Sequence, residues 1–267
     1  MNIEYKMKKN RILVSVLEVT PKVLANFEQA KIGIELSALS HPKNLEGKKL
    51  YVLAKYYKKL LKNFKQPISM HGAFYDLMPT ARDPMVREVA TFRVKQSLEI
   101  ANDLGIDKVV FHANYYPSTK TNFKPIWIEQ QVRFWSPLIP LLEKYGVTAF
   151  IENTREPDAS YISEILTKLN HSQFQTCYDT GHSHCFTTTK ISPVHWGNHY
   201  KTQLGYIHLH SNNGKQDEHI AFTDGTVDFT GFFEAVDALP NLPDIIIEVK
   251  SREAFMKSLA ALRTLGY

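Results

Sequence analysis

The chain has 267 residues, of which 43 % are hydrophobic and 22 % charged. That balance excludes a disordered chain and leaves enough apolar side chain for a large core. The net charge of +5 is a mild basic excess that does not by itself define a nucleic-acid-binding protein. No run of about 18 apolar residues occurs, so no transmembrane helix is expected. Met1 to Asn10 is polar and basic, without the apolar stretch of a secretory signal. Cys177 and Cys185 are the only cysteines, too few for a disulfide framework, and a cytoplasmic setting is expected.

Short β-rich runs alternate with helical stretches from end to end. The runs are Ile12–Val16, Ile32–Leu36, Ile68–His71, Lys108–His112, Thr148–Glu152, Gln175–Asp179, Tyr206–His210 and Ile245–Val249. Helical stretches are expected over Pro21–Ala30, Leu45–Phe64, Asp83–Leu104, Trp127–Tyr145, Ser160–Leu169, Val194–Lys201, Phe229–Leu239 and Ala254–Leu265. Gly105, Gly146 and Gly266 follow helical stretches, where a left-handed residue closes a helix. Asp83-Pro84 and Ser192-Pro193 fit helix starts, with a capping side chain ahead of proline in the first turn. Strand–helix units in this series predict an α/β fold, a closed parallel eight-stranded (β/α)8 TIM barrel, as a single domain over residues 1–267. An open doubly wound sheet is the alternative. Against it, Leu17-Glu18-Val19-Thr20-Pro21 follows the first strand in place of a glycine-rich phosphate loop.

The lysines at 48, 49, 55, 58, 59, 62 and 65 interleave with Leu50, Leu53, Tyr57, Leu60 and Leu61 at helical spacing, and read as a solvated helix face. The histidines carry more information. From the third strand to the eighth, the C-terminal ends deliver His71, His112, Glu152, Asp179, His208 and Glu248. That rim is where barrel active sites are built. Converging buried carboxylates repel one another unless a cation neutralises them, and mixed imidazole and carboxylate donors suit zinc, manganese or iron. After the seventh strand, Asp217 and His219 are two apart and can face one ion from an extended loop, with His182 completing a second cluster. His210 shares a strand face with His208 and is a candidate to orient a ligand or contact substrate. As metal ligands, His184 and His210 are alternates that rank below the others. His41, His171, His195 and His199 stand in loop or helix contexts, and both cysteines read as structural.

These residues resemble those of the xylose isomerase-like barrel superfamily, also called AP endonuclease family 2. The motifs are Tyr178–His182 (YDTGH), Ile207–Asp228 (IHLHSNNGKQDEHIAFTDGTVD) and Ile247–Glu248. The superfamily joins endonuclease IV-type DNA repair nucleases with sugar isomerases and epimerases. In the nuclease branch nine side chains hold three zinc ions; the resemblance assigns those positions to His71, His112, Glu152, Asp179, His182, His208, Asp217, His219 and Glu248. In the epimerase branch one divalent metal is held by the counterparts of Glu152, Asp179, His208 and Glu248. The resemblance therefore implies a divalent metal, zinc or manganese, in one to three copies.

The departures bear on the branch. His112-Ala113-Asn114 stands for the nuclease's His-Pro-Gly, His208-Leu209-His210-Ser211 for its His-Leu-Asn-Asp, and Asp217-Glu218-His219 for its Asp-Arg-His. Glu218 replaces a basic residue, and a carboxylate repels a phosphate backbone. The loop 114–127 is aromatic and basic, and suits either base stacking or an apolar lid over a sugar. The favoured expectation is a metal-dependent sugar or sugar-phosphate isomerase or epimerase. Its catalytic pair would be Glu152 and Glu248, with His182 and His210 on the substrate. A small sugar is expected as partner rather than DNA. The alternative is a zinc-dependent phosphodiesterase acting at abasic sites in DNA.

Overall fold

The computed structural model describes residues 11–117 and 123–267, and in it eight parallel strands close into a barrel in chain order. They are β1 (Ile12–Val16), β2 (Gly33–Leu36), β3 (Ile68–His71), β4 (Lys108–His112), β5 (Thr148–Glu152), β6 (Phe174–Asp179), β7 (Leu204–Leu209) and β8 (Asp244–Ile247). Closure is made by β1 against β8, with Leu13 opposite Ile246 and Val14 opposite Ile247. The helices are α1 (Pro21–Ala30), α2 (Gly47–Leu61), α3 (Pro84–Leu104), α4 (Phe123–Trp135), α5 (Ile139–Tyr145), α6 (Ser160–Leu169), α7 (His182–Cys185), α8 (Pro193–Tyr200), α9 (Phe232–Asp237) and α10 (Arg252–Thr264). The closed barrel rules out the open sheet.

Most of the expected helix punctuation is present, but Ser192 stands at the N-cap of α8 without a side-chain cap bond and α10 closes at Leu265, one residue before Gly266. The Asp83 carboxylate accepts from the Met85 backbone N–H ahead of Pro84, and Gly105 and Gly146 close α3 and α5 in the left-handed conformation. The stretch expected as one helix over Trp127–Tyr145 is divided. A single 3-10 turn, Ser136–Leu138, separates α4 from α5. Pro137 and Pro140 supply no N–H to continue the ladder. Two strand ends also differ: β7 stops at Leu209 and β8 at Ile247, so His210 and Glu248 are the first residues of the loops beyond. The lysines of α2 lie on its exposed outer face, as a solvated face requires.

The barrel interior is layered. At the floor, Asp244 accepts from Arg11 Nε (2.8 Å) and Nη2 (2.7 Å) and from Lys108 Nζ (2.6 Å). Above it Leu13, Val110, Phe150, Cys177, Tyr206 and Ile246 form a dry plug, separate from the larger apolar shell between barrel and helices. Cys177 is therefore a packing residue, and burial pushes its thiol up. Register then lifts the polar residues to the top: His112 lies opposite Glu152, Glu152 opposite Cys177, and Asp179 opposite His208. With the plug below, water reaches these side chains from the rim alone.

Asp244→Ala leaves two cations facing each other at the floor. Because Arg11 is half-exposed, the expected cost is about 1–3 kcal/mol rather than that of a fully buried pair. Urea denaturation should show this as a lower midpoint with an unchanged slope.

Candidate metal centre

Glu152 is the hub of the site. It ends β5, is 1 % exposed, and turns its two oxygens to different partners. Oε2 lies 3.2 Å from His71 Nε2 and 3.3 Å from His112 Nε2. Oε1 lies 3.2 Å from His182 Nδ1 and 3.3 Å from His208 Nδ1. His208 Nδ1 also approaches Glu248 Oε2 (3.1 Å) and Asp179 Oδ2 (3.9 Å). Glu152, Asp179, His208 and Glu248, from β5, β6, β7 and the residue after β8, thus converge on one point.

The remaining residues expected as ligands flank this point. His71 and His112 face Glu152 from β3 and β4, and the ligand atoms of the three lie within 4.8 Å of one another. On the opposite flank Asp217 Oδ2 lies 2.7 Å from His219 Nε2 and 3.5 Å from His182 Nε2. All nine side chains are brought together. His210 packs flat on His219, with ring centroids 4.0 Å apart, and its Nε2 meets Asp179 Oδ2 at 3.0 Å. Gly181 is small for this reason, since a Cβ there would come 2.0 Å from the His210 ring. His184 turns away to Thr226 and joins none of these groups.

Backbone carbonyls set several ring orientations. His71 Nδ1–H donates to Gly72 O (2.9 Å), His182 Nδ1–H to Asn153 O (2.9 Å) and His219 Nδ1–H to Glu248 O (3.0 Å). A carbonyl only accepts, so each ring must present an unprotonated Nε2 inward when neutral. Asn153 does more. Its amide donates to Asp179 O (3.0 Å) and its oxygen accepts Asp179 N–H (2.7 Å), locking the end of β6 against β5.

Electrostatics shows what this crowding costs. Burial pushes Glu152 up, yet His112 and His208 outweigh it and hold it well below the usual carboxylate range. Burial likewise opposes the shift of Glu248 and Asp217, whose histidine neighbours pull them down. Burial lowers His219, but Asp217 and Glu248 bring it up to about 9. His182 and His208 are raised well above their ordinary value against the same burial penalty, and His112 is lowered by burial. His208 Nδ1, His210 Nδ1 and Asp217 Oδ1 are buried without a hydrogen-bond partner. Acceptors aimed inward, with orphaned atoms among them, fit a divalent cation of the zinc or manganese type.

Three buried polar residues are not evident from the sequence. Glu35 on β2 accepts from His208 Nε2 (3.1 Å) and is 0 % exposed. Asn153 stands beside Glu152 with no pattern of its own to mark it. Glu156 is fully buried, accepts the Thr154 N–H, and burial pushes it up to about 7. An acid inside an otherwise apolar strand, Ile32-Gly33-Ile34-Glu35-Leu36, is the available signal for Glu35. The loop 114–127 also differs from expectation. Tyr115 and Trp127 are core residues packed on each other, with Tyr115 also against Tyr161, and Lys124 is tied to Ser160 and Glu164. The Tyr115 and Trp127 rings are therefore not free to stack on bases, while Tyr116 of the same loop is exposed; residues 118–122 lie outside the described residues. Glu218 is held too, accepting the Asn213 backbone N–H at 2.6 Å.

A model of the xylose isomerase-like TIM barrel matches residues 30–265, and the chain belongs to that family. Among curated proteins it is 24 % identical over 249 residues to the uncharacterized protein MJ1311 of Methanocaldococcus jannaschii, covering 89 % of this chain and 80 % of that protein. Among solved structures it resembles a D-tagatose 3-epimerase-like protein with a TM-score of 0.79 at 21 % identity, covering 95 % of this chain and 96 % of the other. It also resembles the TTHB071 protein from Thermus thermophilus, soaked with ZnCl2, with a TM-score of 0.75 at 22 % identity, covering 97 % of this chain and 98 % of the other. At these identities the structural likeness shows the fold. No helix among the described residues is long and apolar enough to cross a membrane.

Ion binding must displace protons from the raised histidines. Apparent affinity for zinc should therefore strengthen as pH rises through about 9, where His219 loses its proton, and reach a plateau only once the raised His182 and His208 are deprotonated as well. Calorimetry in buffers of different ionisation enthalpy should show proton release near neutral pH that vanishes toward the plateau.

Proposed function

We propose that this chain is a divalent-metal-dependent sugar isomerase or epimerase that moves a proton at the carbon next to a carbonyl. The observation that carries the reading is that Glu152, at the end of β5, and Glu248, just after β8, both reach His208 Nδ1, at 3.3 and 3.1 Å. Two carboxylates set around one point can serve opposite faces of a small planar intermediate. One takes the proton from carbon while the other returns one, with an enediolate between. In the metal-free cluster both are held ionised by neighbouring histidines. Turnover needs one ionised as the base and the other carrying the proton it returns, taken up from water at the rim, to which the base later releases the proton it removed.

Glu152, Asp179, His208 and Glu248 would hold the ion, which supplies positive charge against the oxygen that becomes anionic. His182 and His210 stand beside the same cluster, against Glu152 and Asp179, and would contact sugar hydroxyls. Phe74 stacks on His112 with centroids 4.2 Å apart, and Tyr75 stacks on Phe74 at 4.2 Å, forming an apolar wall for the sugar's carbon face. The likeness to a D-tagatose 3-epimerase-like protein supports the substrate class. A second reading, phosphodiester cleavage at abasic DNA, is favoured by one observation. The His71–His112 and His182–Asp217–His219 groups are complete, which is more than a single ion needs.

The test runs both chemistries on metal-loaded protein. Incubated with ketoses and ketose phosphates in deuterated water, it should place label at the carbon beside the carbonyl. Glu152→Gln and Glu248→Gln should each lower that exchange by about 10²–10⁴-fold. Nicking of duplex DNA at an abasic site, with no carbon exchange on any sugar, would replace this reading with the nuclease one.

A further inference from the structure

We propose that Glu35 is the positioning residue that makes His208 a metal ligand, by accepting its Nε2–H and turning its Nδ1 lone pair toward Glu152, Asp179 and Glu248. The inference rests on reading this cluster as a metal centre and assigns a role to a residue outside the nine.

Glu35 reaches His208 from the far side of the barrel. Its Oε2 is 3.1 Å from Nε2, and the two residues are 173 apart in the sequence. Both are 0 % exposed. Nothing else holds the Glu35 side chain among the described residues. Its Oε1 has no hydrogen-bond partner, and its β3 neighbour Ser69 is bonded to Tyr206 instead. A buried carboxylate with one hydrogen bond is a poor structural choice, since an apolar side chain would fill the same volume without desolvating a charge. Its presence is explained if its charge acts through His208. An imidazole that donates to a carboxylate on one side is a stronger base on the other, and its tautomer is fixed.

Three of the other rings are held differently. His71, His182 and His219 are oriented by backbone carbonyls, which no side-chain change removes. His208 is oriented by a side chain. It is also the ring whose inward nitrogen faces three carboxylates at 3.1, 3.3 and 3.9 Å. Were that nitrogen to carry the proton of the neutral ring, it could offer an ion no lone pair.

Titration with Co(II), followed by its visible absorption, tests this in wild type, Glu35→Met and Glu35→Gln. Glu35→Met should weaken the tightest site on the order of 10–100-fold and shift its d–d bands. Glu35→Gln, whose amide oxygen still accepts, should stay closer to wild type. Thermal melts of the metal-free variants separate folding from binding. Equal Co(II) affinity in Glu35→Met and wild type, or equal losses in both variants, would overturn the proposal. If Glu35→Met does not fold, nitrogen-15 histidine spectra of the zinc-loaded wild type decide. His208 should carry its proton on Nε2, and a proton on Nδ1 overturns the assignment. Wild type that takes up no Co(II) at all would instead overturn the metal reading beneath it.

Discussion

The site depends on one constraint: Glu152, Asp179 and Glu248 are packed around a single imidazole nitrogen at the top of a closed barrel. Bare carboxylates in that setting would repel and lose hydration. The protein surrounds them with imidazoles, so that Glu152 alone meets four rings within 3.3 Å. Without an ion those rings must hold protons to keep the carboxylates charged, which is why most are raised and Glu152 and Glu248 are lowered. A divalent cation bound there would replace those protons with charge at the centre of the cluster. The ligand geometry and the shifted acidities are two consequences of the same crowding.

The rest of the fold serves that constraint from below. The Arg11–Asp244–Lys108 floor and the apolar plug above it fill the barrel and leave the polar layer one opening. Strand register then does the placement. Because β4, β5, β6 and β7 are paired in step near their ends, His112, Glu152, Asp179 and His208 arrive together without help from the loops. Asn153 locks the β5 and β6 ends, and Gly181 leaves room for His210 beside Asp179. Phe74 and Tyr75 add a stacked apolar wall, an arrangement suited to a small molecule with one polar and one carbon face.

Much of this is legible in the sequence because strand-end residues repeat a pattern along the chain. The rim ligands from His71 to Glu248 stand at or beside the ends of β-rich runs, so alternation alone points them toward the same opening. What stays hidden depends on closure. Glu35 stops one residue short of the end of β2, and its one local mark, an acid in an otherwise apolar strand, does not say what it faces. Its meaning appears when the barrel brings β2 across to β7. The division of α4 from α5 is signalled by Pro137 and Pro140, but continuous apolar periodicity masks it. Tyr115 and Trp127 mislead for the opposite reason: an aromatic loop looks like a ligand surface until packing shows the rings filled by Tyr161 and one another. Glu156 is a buried acid held by the Thr154 N–H, and no pattern in its segment announces it.

The most direct measurement is anomalous diffraction at the zinc edge from crystals of the zinc-loaded protein. The account predicts a peak among Glu152, Asp179, His208 and Glu248, with each ligand atom about 2.0–2.3 Å from it. Anomalous peaks confined to surface histidines, with His208 Nδ1 still facing the bare carboxylates, would contradict it.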